Sequence, residues 1–239
     1  MLGYIRFWFQ AGAVVIVTMF DSVLVILFSI FIPGIYNYYK HYKRWSKSLL
    51  FLCGIKLSLK GMEHLKAGET YIYISNHSTL FDIPIILSAI KDNVRIFYKK
   101  ELEKVPVFGF ALKKSPFIPI ARAKGREAIA SLEEALSAIR QNVSVLLFPE
   151  GTRSKDGKLQ PFRRGAFMLA SRSGKPIMPV TIIGSPEILP RKSFRFNRSI
   201  IHIVFHEAIY PADNLARDEE QELMERVHAI IEQTLAKNE

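Results

Sequence analysis

The sequence predicts an α/β domain with a mixed, largely parallel central sheet flanked by helices, preceded by an N-terminal membrane-inserted helical segment. Three observations lead there. Short β-rich runs alternate with stretches of helical periodicity. The chain begins with a long apolar run that has a basic flank. Two of the β runs end in loops rich in polar, charged and glycine residues, as expected where an α/β sheet carries its site at strand ends.

Residues 11–33 are nearly all apolar, interrupted by Thr18, Asp21, Ser22 and Ser29. About twenty such residues span a bilayer core. Arg6 is the only charged side chain before the run, whereas Lys40, Lys43, Arg44 and Lys47 follow it, which places the bulk of the protein on the cytoplasmic side of a membrane. A carboxylate at mid-depth is costly, so the segment either crosses the bilayer or turns back as a shallow hairpin near Asp21 and Ser22. Tyr36, Tyr38, Tyr39 and Trp45 suit the headgroup level. Residues 1–48 thus form an anchor with a basic juxtamembrane segment, and residues 49–239 form the α/β domain.

Within that domain, strands are expected at 55–59, 71–75, 94–98, 117–120, 143–148, 177–183 and 200–205. Helical periodicity is clearest at 126–140, where Ile129, Leu132, Leu136 and Ile139 make one stripe, and at 218–237, through Leu223, Val227, Ile230 and Leu235.

With 239 residues, 49% of them apolar, the chain has material for one sizeable core. Its single cysteine, Cys53, excludes an internal disulfide. A formal charge of +11 points to anionic partners. The aromatic signature of nucleic-acid modules is missing, so lipid or phosphorylated substrate is favoured over nucleic acid. His202 and His206 share a β run, where four steps separate them by about 13 Å, too far for one metal, and no metal or other cofactor is expected.

The strongest chemical signal is the loop Asn76-His77-Ser78-Thr79-Leu80-Phe81-Asp82. Five steps at about 100° per residue keep His77 and Asp82 apart on any single helix. Pro84 belongs in a first helical turn, so Asp82 is read as the N-cap and His77 as lying in the preceding loop. A loop can fold back so that the carboxylate binds one ring nitrogen and leaves the other as a base. The second signal is Phe148-Pro149-Glu150-Gly151-Thr152-Arg153-Ser154, a glycine-hinged, charged turn suited to an anion.

These two blocks, followed in order by Lys175-Pro176-Ile177-Met178-Pro179-Val180, resemble the glycerolipid acyltransferase family over roughly residues 50–210. The likeness is greatest to bacterial 1-acyl-sn-glycerol-3-phosphate acyltransferases. It implies that His77 is the general base and Asp82 its orienting partner. It also implies that Glu150, Gly151, Thr152 and Arg153 hold the acceptor phosphate, helped by Arg122, Lys100 and Arg164. Ala121 stands where the family usually has an acid before the arginine. Pro179 is implied as part of an acyl tunnel.

The implied reaction acylates the sn-2 hydroxyl of lysophosphatidate from acyl-CoA or from an acidic acyl carrier protein. No Gly-x-Ser-x-Gly elbow or strand-placed reactive cysteine is present for an acyl-enzyme route. Backbone amides of 76–79 are the expected oxyanion donors. Two other readings compete: an acyltransferase for glycerol 3-phosphate or another lysolipid, and a non-catalytic protein that holds anionic lipid.

Overall fold

In the computed structural model, residues 2–31, 35–120, 126–154, 157–190, 195–212 and 214–238 are described. Seven helices and seven strands alternate along them: α1 Leu2–Phe31, α2 Ile35–Cys53, β1 Lys56–Lys60, β2 Ile72–Ser75, α3 Asp82–Ala89, β3 Val94–Lys99, α4 Phe108–Lys114, β4 Ile118–Ile120, α5 Arg126–Arg140, β5 Ser144–Leu147, α6 Gly165–Ser173, β6 Ile177–Ile183, β7 Ile200–Phe205 and α7 Arg217–Ala236. The strands form one sheet in the order β1-β7-β6-β2-β5-β3-β4. Only the β6–β7 pairing is antiparallel.

All four residues of β2 are buried, as a central parallel strand covered on both faces requires. Period-two alternation splits its neighbourhood between two cores. Tyr71 and Tyr73 join Ile85, Ile86, Leu87 and the inner face of α2. Ile72 and Ile74 join Leu136, Ile139, Phe167 and Val227 from α5, α6 and α7. The stripe expected on α5 holds for Leu136 and Ile139, whereas Ile129 is exposed. On α7, Leu223, Val227 and Ile231 are buried, while Ile230 and Leu235 only border the core.

The N-terminal segment differs from the shallow-hairpin alternative. α1 runs unbroken through Asp21 and Ser22 and packs antiparallel to α2, with Gln10 near Leu52, Thr18 near Trp45 and Asp21 near Arg44. The physical reason is a partner: Asp21 is buried against α2, where the Arg44 guanidinium donates to its carboxylate. Gln10 donates to the Leu52 carbonyl at 2.9 Å, and the Trp45 indole N–H donates to the Thr18 hydroxyl at 3.1 Å. Trp45 is therefore an interhelical residue. Gln10, Asp21 and Ser22 of α1 face inward while Phe9, Ile16, Phe20 and Phe31 face outward. Such inverted polarity suits a helix facing lipid, and α1 is long and apolar enough to cross a bilayer.

The boundary expected at residue 48 falls inside α2. That helix continues to Cys53 and buries Leu49, Leu50 and Cys53, so it packs as part of the α/β unit.

Near the antiparallel strand pair, the His206 amide donates to the Pro179 carbonyl at 3.0 Å, and the ring Nε2 lies 2.8 Å from the Thr181 hydroxyl. Burial, with a smaller effect from His64, pushes the His206 imidazole down to about 4. The unfolded chain takes up a proton near its ordinary value of about 6.5 while the folded protein does not, so stability is lost as pH falls from there toward 4. Urea titrations between pH 7 and pH 4 are expected to show this decline, and His206→Gln is expected to flatten it.

Candidate active site

β2 and β5 are parallel neighbours, with Ile74 beside Leu147, so the loops after them emerge side by side at one edge of the sheet. That adjacency brings the two motifs together. Asn76 locks the first loop to β6: its side-chain amide donates to the Ile182 carbonyl at 2.9 Å and accepts from the Ile182 amide at 2.8 Å.

His77 lies in the loop as expected, with Nδ1 2.8 Å from Asp82 Oδ2. An Nδ1–H donated to the carboxylate leaves the Nε2 lone pair as the proton acceptor. Asp82 itself corrects the expectation of an N-cap. It is the first residue of α3, and its carboxylate folds back over the loop. Oδ2 accepts the Ser78 and Thr79 amides at 2.6 and 2.8 Å, and Oδ1 accepts the Thr79 hydroxyl at 3.1 Å. These bonds also engage three of the four amides expected as oxyanion donors. The amides of Ser78 and Thr79 are committed to Asp82, and the amide of His77 is committed to Glu150.

Glu150 links the motifs. It is 4% exposed; Oε1 accepts the His77 amide at 2.6 Å, and Oε2 accepts the Gln160 amide at 3.0 Å. The Ser154 amide donates to the His77 carbonyl at 2.8 Å, closing a two-way clasp between the loops. A carboxylate so engaged holds the site together and does not itself receive a phosphate. Burial raises the Glu150 carboxyl above its ordinary range, against the opposing effect of its two amide donors.

Phe148, whose role the sequence left unread, stacks on the His77 ring at 4.2 Å between centroids and an interplanar angle of 22°. It fixes the plane of the imidazole and offers its π face to an imidazolium.

Gly151 has φ 69°, in the left-handed region, and a side chain there would collide with the Arg163 guanidinium, whose Nε lies 2.7 Å from the position of a Cβ. Arg163 is tied to the same turn through its amide, which donates to the Pro149 carbonyl at 2.8 Å. Thr152 and Arg153 are exposed beside it. Among the described residues, neither Arg153 nor Arg163 forms an ion pair with a carboxylate.

Arg164, the expected phosphate ligand, points elsewhere: its Nε donates to the buried carboxylate of Glu220 on α7. Lys100 is exposed just beyond β3, at the same sheet edge. Arg122 lies outside the described residues. Pro179 is buried in mid-strand beside Ile74. It does not line the apolar cavity between α1, α2, α3 and α4, whose walls include Val25, Tyr42, Trp45, Ile83, Phe108 and Leu112.

A largely parallel α/β sheet carries, at its C-terminal edge, a histidine oriented by a carboxylate beside an arginine-bearing turn. The chain belongs to the acyltransferase family, whose model matches residues 56–183, more than half of the sequence. Among curated relatives, the chloroplastic 1-acyl-sn-glycerol-3-phosphate acyltransferase BAT2 of Brassica napus is 32% identical over 73% of this chain and 52% of its own length. The 1-acyl-sn-glycerol-3-phosphate acyltransferase of Saccharomyces cerevisiae is 31% identical over 82% of this chain and 67% of its own. The chain thus spans about half the length of the Brassica protein. The crystal structure of the 1-acyl-sn-glycerophosphate (LPA) acyltransferase PlsC from Thermotoga maritima superimposes with a TM-score of 0.78 at 24% identity, covering 99% of this chain and 94% of that one. That match establishes the shared fold.

Replacing Glu150 with Gln removes a buried charge and turns an amide NH₂ toward one of two N–H donors. The expected result is a melting temperature that changes little and a kcat that falls at least about tenfold. Thermal melts and steady-state rates on one preparation check both outcomes.

Proposed function

We propose that the protein transfers an acyl group from a thioester to the sn-2 hydroxyl of 1-acyl-glycerol-3-phosphate, forming phosphatidate. The observation that carries this reading is the His77–Asp82 pair clasped through Glu150 to an arginine-bearing turn. Family membership and the printed names of the relatives agree with it.

The acceptor phosphate lies on Arg153 and Arg163, with Gly151 keeping the turn open for Arg163, Thr152 supplying a hydroxyl and Lys100 adding charge at the same edge. His77 Nε2 takes the proton of the acceptor hydroxyl as its oxygen attacks the thioester carbonyl. The tetrahedral intermediate collapses, the carbon–sulfur bond breaks, and the imidazolium returns its proton to the departing thiolate. Asp82 holds the ring and offsets its transient charge. The apolar cavity beside Ile83 suits an acyl chain. The donor is acyl-CoA or an acidic acyl carrier protein, and the basic residues after α1 keep the catalytic edge on the cytoplasmic face of the membrane.

Acyl transfer to lysophosphatidate, other lysolipids and glycerol 3-phosphate, assayed in parallel, tests the reading. Phosphatidate is expected from the wild type and not from His77→Ala. Turnover of another acceptor alone would overturn the substrate assignment, and full activity in His77→Ala would overturn the mechanism.

Arg153→Ala and Arg163→Ala are each expected to raise KM for lysophosphatidate about 10- to 100-fold and to affect a phosphate-free monoacylglycerol far less. Arg164→Ala is expected instead to lower the melting temperature, because it strands the Glu220 carboxylate.

A further inference from the structure

The connection from β3 into α4 carries a surface that acyl-transfer chemistry does not use. Residues 104–107 are all exposed. At their end Val107 adopts φ 63° and ψ −61°, a γ-turn closed by the Phe108 amide donating to the Pro106 carbonyl at 2.7 Å. A β-branched residue at positive φ is strained, and a merely solvated loop puts Gly or Asn there. The strain holds apolar side chains in the open: Val105 and Val107 are 39% and 40% exposed, and Phe110, one turn into α4, is 48% exposed.

Cations surround this tip. The stretch 99–114 has five lysines against two glutamates. Lys99 and Lys113 approach those glutamates at 3.6 and 3.7 Å, and Lys114 reaches over the Phe110 ring, 5.6 Å from its centroid. An apolar point ringed by lysines matches an anionic bilayer surface, where alkyl stems and rings sink to the acyl boundary while ammonium groups remain among phosphates.

Position favours lipid over an acidic protein partner. α4 packs on α1, and Val25 of α1 shares a cavity with Phe108 and Leu112, so the tip is continuous with the outward-facing apolar helix. β3 also ends at the same sheet edge as β5, which bears the cationic turn.

We propose that the 102–114 segment is a second membrane contact, additional to α1, whose apolar tip enters the headgroup–acyl boundary of an anionic bilayer and turns the catalytic edge toward it. A one-tailed acceptor then reaches His77 from the bilayer without crossing water. That consequence rests on the proposed acyl transfer, whereas the contact stands on the surface alone.

The test is a fluorescent label in the full-length chain reconstituted into vesicles of phosphatidylcholine with or without phosphatidylglycerol. An environment-sensitive NBD group is placed at Val107→Cys or Phe110→Cys. Cys53 is buried, its thiol pushed up to about 11 by that burial, and so escapes labelling. Gln221→Cys on the exposed face of α7 is the control. Both tip labels are expected to shift to the blue and brighten in anionic vesicles, with the control unchanged. Lys104→Glu with Lys114→Glu is expected to reduce the shift. Water-like emission at 107 and 110 overturns the contact, as does a shift that needs an acidic carrier protein instead of lipid. An undiminished shift in the double lysine variant overturns the anionic selectivity.

This readout is independent of turnover, so a failure of the substrate assignment leaves it standing. Phe110→Asp is expected to raise the apparent KM for vesicle-borne lysophosphatidate about tenfold and to leave kcat in detergent unchanged.

Discussion

The arrangement of this site depends on one buried carboxylate. Asp82 is fully buried, and such a group is tolerable only where donors replace its lost water. Four donors do so, and three of them belong to the loop the carboxylate organises: the Ser78 amide, the Thr79 amide and the Thr79 hydroxyl. The fourth is the ring of His77. The first turn of α3 is a favourable place for negative charge, because the helix dipole points its positive end there. Desolvation of one side chain thus dictates both the path of the loop and the tautomer of the imidazole. Charge-assisted bonds to it are also strong enough to keep the base oriented before substrate arrives.

Glu150 repeats the device in the adjoining loop and thereby couples base to binding turn. Its two acceptors join residues 77, 150 and 160, and these segments are brought into register by the parallel pairing of β2 and β5. A buried carboxylate raised above its ordinary range is a net cost to folding near neutral pH, only partly offset by its amide donors. In the proposed reaction that cost is offset, because a small displacement of His77 from the acceptor oxygen would be more damaging than a modest loss of stability.

Strand positions, the two later helices and the pairing of His77 with Asp82 were all legible in the sequence, because periodicity and a five-residue spacing are local properties. What was not legible depended on partners far along the chain. Asp21 looks like a break in an apolar helix until Arg44 of the following helix is set against it. Arg163 and Arg164 are indistinguishable as neighbours. Glu220, from a helix much later in the chain, claims one, and the missing side chain of Gly151 makes room for the other. The glycine could have hinted at a close approach, but not at which cation makes it. Phe148 belongs to the second motif in the sequence, yet its contact with His77 exists only once β2 and β5 are adjacent.

A continuous series of contacts joins the apolar helix α1 to the site. α1 is held by polar side chains that point inward to α2, so the two helices are fixed by directional bonds as well as by apolar packing. α2 in turn engages the far end of α3. Lys43 Nζ donates to the Ser88 carbonyl at 3.3 Å, satisfying a helix C-terminus that attracts positive charge, and the Tyr39 hydroxyl donates to the Lys91 carbonyl just beyond. α3 begins with Asp82. Packed, hydrogen-bonded elements therefore run without interruption from a helix suited to lipid to the carboxylate that orients the base. Because packed interiors transmit displacement with little loss, the height and tilt that α1 would take in a bilayer would set where His77 stands relative to the membrane surface. In the proposed reaction the acceptor keeps its one tail in lipid and exposes its hydroxyl only within a narrow layer at that surface, and a rigid link would hold His77 in that layer.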